Sequence, residues 1–397
     1  MSDEEVSHEP DRKSGGRLRR VAWMTGRVLV ALASAAALAS AGLARDRVET
    51  VRENVPTTDV LSEEVQKTAP PADDGADDYL VVGSDTRTDA QGHPLPASVL
   101  ALLKTEASDG VNTDTIILLR VPKDGSKGFA ISIPRDTYVQ IPGYREDKIN
   151  AAYGATKYRT AERLAAEGKT DRAEIERISD TEGRSALAQS VQNLTGVRVD
   201  HYAEVNLYGF YLITKAIGGV TVCLNHGTSD PNSGANFRKG VQTISGTSAL
   251  AFVRQRDGLP RGDLDRIVRQ QVFLGSAMQQ MLTAGTLTDQ TKLNALTDAA
   301  SKSIVVSPGL DILTLVKHLS SMASGKIEFV TIPVVAVGAR NERGQSIITV
   351  DLPKVKEFVA GLLGRQPPKF ASKGPLLLNG TVAQQQPATV DGVRCVD

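Results

Sequence analysis

The stretch YLVVGSD at residues 79–85 decides the fold, because an apolar run here meets a glycine–serine–aspartate turn. Two further apolar runs follow at 115–121 and 129–133, and the polar residues 122–128 join them. Short runs in which apolar residues do not alternate with polar ones are typical of strands buried on both faces. These three segments therefore predict the centre of a β-sheet.

Further along the chain, helical and strand patterns alternate. Apolar residues recur at helical spacing in several segments, and shorter apolar runs lie between them. The predicted helices are 149–166, 184–194, 208–217, 288–303, 310–323 and 354–363, and the predicted strands are 202–205, 220–224 and 327–333. This alternation predicts an α/β domain whose sheet is covered by helices on both faces.

The N-terminal residues have a pattern that is typical of a targeting segment. Three arginines in 17–20 precede a mostly apolar stretch, 21–44, that Arg27 interrupts. The uninterrupted part, 28–44, would span about 25 Å as a helix. We expect 21–44 to be a transmembrane anchor behind a cytoplasmic tail, 1–20, because basic flanks stay on the cytoplasmic side. A cleaved signal peptide is the alternative, and both interpretations export the rest of the chain.

The exported part has a simple predicted organisation. Residues 45–77 are polar and contain prolines and an acidic run, which predicts a linker ahead of a domain at 78–364. The polar residues 365–397 predict a loosely ordered tail. In an oxidising compartment Cys223 and Cys395 can form a disulfide bond. The alternative is two unpaired thiols, one in a strand and one in the tail.

Charge and motifs exclude several classes of protein. The 46 basic residues are balanced by 46 acidic ones, whereas a nucleic-acid-binding domain usually has a basic surplus, so no nucleic-acid partner is expected. The five histidines have no metal-ligand spacing, which argues against a zinc site. The sequence contains neither a G-x-S-x-G motif nor a Walker motif, which argues against serine hydrolases and nucleotide-driven enzymes.

Polar residues follow three of the predicted strands, at 84–87, 112–115 and 134–137. Sites in α/β proteins form at strand ends, so we expect these segments to converge. Carboxylates from two of them can hold a hard cation such as Mg²⁺. The alternative is that the three aspartates are turn and cap residues, a common role of this residue. They are Asp85, Asp114 and Asp136.

The stretch ALAFVRQRDGLPRGDLDRIVRQQ at 249–271 is rich in arginine. On extended chain Arg254 and Arg256 would project together. A helix starting near Asp263 would place Arg266, Arg269 and Gln270 on a shared surface. Guanidinium groups suit phosphate oxygens, which indicates an anion site. The alternative is an exposed helix with solvated ion pairs.

Six segments, taken together, resemble the LytR-CpsA-Psr (LCP) family of bacterial cell-wall proteins. They are DYLVVGSDTR, NTDTIILLRV, ISIPRDTYVQIPG, KINAAYGA, DHYAEVNLYGFYLITKAIGGVTVCL and LAFVRQRDGLPRGDLDRIVRQQ. They occur in family order between residues 78 and 282, after a family-like anchor. The resemblance implies a three-layer α/β/α domain with a central mixed sheet, held outside the cytoplasm by an N-terminal transmembrane helix in the cell membrane.

The resemblance also implies an activity and its partners. A glycopolymer phosphate would move from an undecaprenyl-pyrophosphate carrier to a muramic acid hydroxyl of peptidoglycan, with Mg²⁺, or alternatively Mn²⁺, as the metal. Two alternatives are a polyprenyl-pyrophosphate hydrolase, with water as acceptor, and a lipid-binding envelope regulator without catalysis. Intact motifs argue against the regulator.

Roles for individual residues follow from their motif positions. Asp85 and Asp114 match the Mg²⁺ ligands, and Asp85 is the best candidate to accept or orient the proton of the acceptor. Asp136 is expected to be structural or orienting. The expected pyrophosphate-holding residues are Arg87, Arg135, Arg254 and Arg256, with Arg266 and Gln270 completing the set that binds the carrier. The sequence departs from the simplest family pattern at 88–110, which widens the spacing between the two metal-binding aspartates, and 374–397 is too short for a separate C-terminal domain.

Overall fold

The computed structural model describes residues 55–72, 75–106, 110–283, 290–310, 327–364, 388–389 and 393–397. The predicted cytoplasmic tail and anchor, and nearly all of the predicted helix 310–323, lie outside these ranges. Across the described ranges, every helix is too short or too polar to cross a bilayer.

The strands in chain order are β1 Ala76–Ser84, β2 Thr113–Pro122, β3 Gly128–Ser132, β4 Tyr138–Gln140, β5 Glu146–Lys148, β6 His201–Asn206, β7 Val220–Leu224, β8 Thr228–Asp230, β9 Ala235–Phe237, β10 Gly240–Ile244, β11 Ile304–Val306, β12 Ile327–Thr331, β13 Ala336–Arg340, β14 Ser346–Thr349, β15 Ala388–Thr389 and β16 Cys395–Val396. Seven of them form a central sheet in the order β11-β6-β1-β2-β3-β12-β15. β1 pairs antiparallel with β2 and parallel with β6, so the sheet is mixed.

The helices in chain order are α1 Glu63–Lys67, α2 Ala97–Leu102, α3 Ala151–Ala166, α4 Arg172–Thr195, α5 Leu207–Ala216, α6 Gly246–Arg254, α7 Asp263–Thr283, α8 Gln290–Ser303 and α9 Leu352–Leu362. They cover both faces of the central sheet. α4 and α9 pack on one face, which we call the α4 face, and α5 and α7 lie over the other, the α7 face. The predicted α/β architecture with a central mixed sheet is confirmed.

The α4 face carries the main hydrophobic core. Because side chains alternate along a strand, Leu80 and Val82 of β1 and Ile116 and Leu118 of β2 point to this face. They pack on α4, whose apolar residues include Leu187. α4 begins at Arg172 and not at the predicted residue 184, because Asp171 caps it by accepting hydrogen bonds from the Ala173 and Glu174 amides. Its first turns are polar, which hid them from the apolar pattern.

Part of the predicted linker belongs to the domain. Val60 is fully buried in the core of the α4 face, and the carbonyl oxygen of Val60 accepts a hydrogen bond from the Ser185 hydroxyl. Thr58 bonds to Thr181 of α4 through their hydroxyls, 2.9 Å apart. Residues 55–72 therefore pack along the domain, and the linker prediction for 45–77 is wrong over this part. The reason is that isolated apolar residues in polar sequence give no periodic signal.

The two cysteines form a disulfide bond between Cys223 of β7 and Cys395 of β16. β16 also pairs parallel with β7 in the three-stranded sheet β10-β7-β16. Their predicted pairing is confirmed, and the tail is attached to the domain at this point. The bond closes a loop of 172 residues, and its presence fits an oxidising compartment.

Candidate active site

A cavity of about 300 Å³ lies between the α7 face of the sheet and helices α5, α6 and α7. Its polar residues come from the ends of β1, β6 and α6, the start of β2 and the first turns of α7. Its apolar residues lie further along the same elements, including Val81, Ile117, Phe210, Phe273 and Met278. The cavity is therefore polar at one end and apolar along the rest. We call it the donor cavity.

The predicted site residues converge on the polar end. Six of the residues singled out from the sequence line the donor cavity: Asp85, Arg87, Asp114, Arg254, Arg266 and Gln270. Arg135 joins through its ion pair with Asp114, at 2.6 Å. Arg256 does not line the cavity, but its charge acts on Asp114 and Arg266.

Asp85 is held at the end of β1 by three neighbouring groups. Its Oδ1 accepts a hydrogen bond from the Asn112 amide at 2.6 Å, and its Oδ2 accepts one from the Asn112 side chain at 3.3 Å. Arg87 lies 3.3 Å from the same carboxylate and donates to the carbonyl oxygen of Gly110. These bonds tie the β1 end to the chain just before β2, so they align the two strand ends.

Asp114 and Asp263 are both bracketed by guanidinium groups. Arg135 Nη1 donates to Asp114 Oδ1 at 2.6 Å, and Arg135 Nε lies 3.5 Å from Asp263 Oδ1. Arg266 Nη2 lies 2.8 Å from that same Asp263 oxygen. Asp263, which the sequence placed only near the start of a helix, thus links two arginines of the site. Its position at the start of α7 puts it there.

Burial and neighbouring charges shift the pKa values of four groups at this end of the cavity. Burial works to raise the pKa of Asp114, but the charges of Arg135, Arg266 and Arg256 outweigh it and lower that pKa below its usual value. Burial likewise works to lower the pKa of Arg135, and Asp114 reverses the effect and raises it. Burial lowers the pKa values of Arg254 and Arg266, which remain charged at neutral pH because guanidinium is so basic. Asp114 and these three arginines are therefore charged at neutral pH.

The structure corrects the expected conformation around Arg254. A capping box of Ser245 and Ser248 starts α6, and this helix continues to Arg254. Arg254 and Arg256 therefore do not project together from extended chain: the first faces the cavity and donates to the Leu103 carbonyl oxygen at 3.2 Å, and the second is exposed beyond the helix end. Leu103 belongs to the predicted loop-like insertion at 88–110, where α2 packs its Leu100 against Leu250 of α6.

The predicted shared surface on α7 also needs correction. Arg266 and Gln270 face the donor cavity together, since four residues turn a helix by about 40° beyond one full turn. Arg269 points elsewhere: it is fully buried, donates to Gln255 Oε1 at 2.7 Å, and donates through Nε to the main-chain oxygen of Asp397. Burial lowers the pKa of Arg269 to about 10. Arg269 therefore connects α7 to Gln255 and Asp397 and not to the donor cavity.

Three guanidinium groups at the polar end each have a hydrogen-bond donor that is not used. The Nε atoms of Arg87, Arg135 and Arg266 are buried and make no hydrogen bond within the described residues, and Arg135 Nε lies 3.5 Å from Asp263 Oδ1. Buried donors in proteins are nearly always satisfied, so such a cluster marks a place for an absent acceptor. An anion with several oxygens, such as a phosphate, fits the charge and the number of these donors.

The donor set also fits a divalent cation. Asp85 and Asp114 present carboxylate oxygens to one cavity, with 18% and 33% of their side chains exposed. Within the described ranges, no group of three or more acidic, histidine or cysteine residues could hold a metal ion by itself. A Mg²⁺ ion here would complete its coordination with phosphate oxygens and water, as this ion commonly does.

A buried polar cluster lies directly behind the site, and the sequence did not reveal it. Glu204 of β6 accepts hydrogen bonds from the Ser84 hydroxyl at 2.7 Å, from Arg184 Nε at 2.7 Å and from the Tyr202 hydroxyl at 2.8 Å. Ser84 Oγ also lies 3.2 Å from the Thr86 hydroxyl. The cluster therefore fixes the chain on both sides of Asp85. A charged residue inside an apolar strand was the one available signal.

The fold and the cavity define an α/β domain with a site that is cationic at one end and apolar at the other. The chain belongs to the LytR_cpsA_psr family, whose sequence model matches residues 39–362. The resemblance found in the six segments is thus confirmed.

Individual relatives agree with this assignment. The chain is 48% identical over 297 residues to the cell wall biosynthesis protein LcpA of Corynebacterium glutamicum, an alignment covering 75% of this chain and 57% of LcpA. It is 31% identical over 237 residues to the polyisoprenyl-teichoic acid–peptidoglycan teichoic acid transferase TagU of Oceanobacillus iheyensis, covering 59% of this chain and 66% of TagU. The chain spans less than two thirds of the length of both relatives.

A solved structure shares the fold. The crystal structure of protein gbs0355 from Streptococcus agalactiae superposes with a TM-score of 0.54 over 80% of this chain and 96% of that chain, at 19% sequence identity. At this level of identity the likeness concerns the fold alone.

Proposed function

We propose that the protein is a cell-envelope phosphotransferase that moves a glycopolymer phosphate from an undecaprenyl-pyrophosphate carrier to a muramic acid hydroxyl of peptidoglycan. The observation that carries the proposal is the cluster of buried guanidinium donors without acceptors at the polar end of an apolar cavity. A lipid pyrophosphate has the complementary form, with an apolar chain and an anionic head. The names of the two relatives, a cell wall biosynthesis protein and a teichoic acid transferase, support it.

Each part of the donor would have its own contacts. The lipid chain would run along the apolar side of the cavity, from Arg266 towards Met281 on α7, about 22 Å of helix. Arg87, Arg135 and Arg266 would donate to pyrophosphate oxygens. Arg254, which bonds to a main-chain carbonyl and to no carboxylate among the described residues, would add charge where the leaving group forms.

The reaction breaks one phosphorus–oxygen bond and forms another. The acceptor hydroxyl oxygen attacks the phosphorus that carries the polymer, and undecaprenyl phosphate leaves with the electron pair of the broken bond. Asp85 is the carboxylate proposed to accept or orient the hydroxyl proton. The arginines stabilise the charge that develops on the leaving phosphate, the main catalytic effect available to such a site. Mg²⁺ held by Asp85 and Asp114 would neutralise further phosphate charge.

The test uses the purified full chain with a lipid-pyrophosphate-linked oligosaccharide, peptidoglycan fragments and Mg²⁺. Mass spectrometry would detect the oligosaccharide joined to the acceptor through a phosphodiester. We expect Arg256→Ala to lower the rate about tenfold, or about 1.4 kcal/mol, because its charge acts on Asp114 and Arg266 although it does not line the cavity. The variant should stay folded, since Arg256 is exposed. Arg238→Ala, at another exposed arginine, is the matched control.

Four outcomes would overturn parts of the proposal. Wild-type rates in Arg256→Ala would remove this arginine from the mechanism, and unchanged rates after chelation would remove the metal. Release of sugar phosphate without a transfer product would indicate a hydrolase. Tight carrier binding without turnover would favour the regulator.

A further inference from the structure

Two polar cavities lie side by side along helix α4, on the opposite side of the sheet from the donor cavity. The first, of about 670 Å³, is lined among others by Thr57, Thr86, Gln91 and Asn206. The second, of about 890 Å³, is lined among others by Asp59, Gly143, Arg163 and Gln189. Both include Arg177 and Thr181, so they adjoin along α4. We call the two cavities together the α4 groove.

The α4 groove is long, and a fixed segment of the chain borders it. Residues of α4 line it from Ala173 to Gln189, which corresponds to about 24 Å along the helix. The N-terminal segment 56–68 borders both cavities, and hydrogen bonds attach it to α4 at Thr181 and Ser185. A groove of this length accommodates several residues of an extended polymer.

One end of the groove meets the proposed active site. Along the chain after β1, Asp85 and Arg87 line the donor cavity, whereas Thr86 and Thr88 line the groove. Asn206 lines both spaces, and its side chain donates to the Thr88 carbonyl oxygen at 2.9 Å. A single segment of chain thus separates the two.

Acidic side chains outnumber arginines along the α4 groove, and several of them form ion pairs. Lys157 pairs with Glu176 and, at 2.9 Å, with Asp180. Glu204 pairs with Arg184, and Glu182 with Arg163. The surplus of cationic donors that marks the donor cavity is absent from the described residues here, so the groove suits a polar ligand of low charge and not a polyphosphate. Hydroxyl and amide groups of threonine, glutamine and asparagine residues are suited to sugar hydroxyls.

We propose that the α4 groove binds the acceptor, an extended and hydroxyl-rich glycan strand, and leads it to the end of β1. This inference rests on the proposed function, since it assigns the second substrate of that reaction. Arg177 contributes directly: it is exposed at the junction of the two cavities and forms no ion pair with any residue that the structure describes.

The first test measures binding without catalysis. Isothermal titration calorimetry would follow a phosphate-free peptidoglycan tetrasaccharide added to the full chain. Arg177→Ala is expected to weaken binding about tenfold, the effect of losing one hydrogen bond from a charged donor. Thr181→Trp, which fills the junction, is expected to abolish it. Arg172→Ala, on the same helix and outside both cavities, is the matched control and should bind like the wild type.

The second test separates this inference from the proposed function. In the transfer assay, Arg177→Ala should raise the KM for the acceptor about tenfold and leave the KM for the lipid-linked donor at its wild-type value. A change in the donor KM instead would assign the groove to the donor polymer and overturn the inference. Unchanged tetrasaccharide binding in both groove variants, with intact melting curves, would also overturn it. Absence of any transfer product in the wild type would refute the proposed function. The calorimetry would still show whether the α4 groove binds the glycan.

Discussion

The two faces of the central sheet are built from the same strands and differ in how completely helices cover them. On the α4 face, Leu80, Val82, Ile116 and Leu118 are packed tightly beneath α4 and α9. On the α7 face, their immediate neighbours Val81 and Ile117 line a cavity of about 300 Å³. One face therefore supplies close-packed stability and the other supplies room for a ligand, although both are apolar.

The difference arises from the helices. α5 approaches α8 so closely that a Cβ atom added to Gly209 would lie 2.2 Å from the Cβ of Ser303. α7 rests on the sheet β10-β7-β16, which the disulfide bond holds. Both helices have their own supports, so they need not collapse onto the central sheet.

The largest expected loss of stability comes from breaking one of two buried ion pairs on the α4 face. Glu204–Arg184 lies behind the active site, and Asp78–Arg120, at 2.6 Å, lies at the other end of β1. Glu204→Gln should destabilise the fold by about 4 kcal/mol, because it leaves the buried Arg184 uncompensated. Asp78→Asn should cost less, because burial already favours the protonated, neutral form of Asp78 beside Arg120. Denaturant unfolding measures this loss.

The same pair of variants tests whether Glu204 positions the catalytic strand end. Glu204→Gln should also lower kcat about tenfold, or about 1.4 kcal/mol, because the chain around Asp85 loses its support through Ser84. Asp78→Asn should leave kcat unchanged. Equal kcat values in the two variants, measured well below their melting temperatures, would reduce Glu204 to a structural role.

A pair of neighbouring isoleucines sharpens the comparison of the two faces. Ile116→Ala should cost about 3 kcal/mol of stability, the usual effect of a new void in a packed core, with transfer unaffected. Ile117→Ala should cost about 1 kcal/mol, because its side chain already borders open space and has fewer contacts to lose. It should instead raise the KM for the lipid-linked donor. Equal stability losses would contradict the claim that the α7 face is open.

The smallest expected effect concerns pH. Burial raises the pKa of Asp78 to about 7, against the opposing charge of Arg120. At pH values between the unfolded pKa of 3.8 and the folded pKa of about 7, the folded chain therefore holds a proton on Asp78 that the unfolded chain has lost. The free energy of unfolding consequently falls as the pH rises through 7. Between pH 6 and 8 we expect a loss of about 1 kcal/mol.

Asp78→Asn is the reference for this pH effect, since it removes the titrating group and should remove the dependence. Donor binding should not follow the same curve, because the pKa of Asp114 is lowered and the pKa of Arg135 is raised. A donor KM that rises in parallel with the loss of stability would mean that the two regions are coupled.

Much of the site was predictable from the sequence because its residues lie in short motifs at strand ends. Asp85, Arg87 and Asp114 were placed there by patterns of a few residues, and they do line one cavity. The predicted extended conformation at Arg254 was wrong, because α6 starts at the capping box of Ser245 and continues to Arg254. Glu204 was missed because its partners are Ser84, far away in sequence, and Arg184, on a different element.

The sequence by itself determined the family, the apolar strands, the arginine-rich helix and the candidate disulfide pair. All of these are local patterns, or follow from compartment and composition. Only the tertiary structure decided that one sheet face stays open, that segment 56–68 packs along α4, and that Glu204 supports the strand end. These features depend on distances between residues remote in sequence, and such distances are set by the packing of whole helices against the sheet.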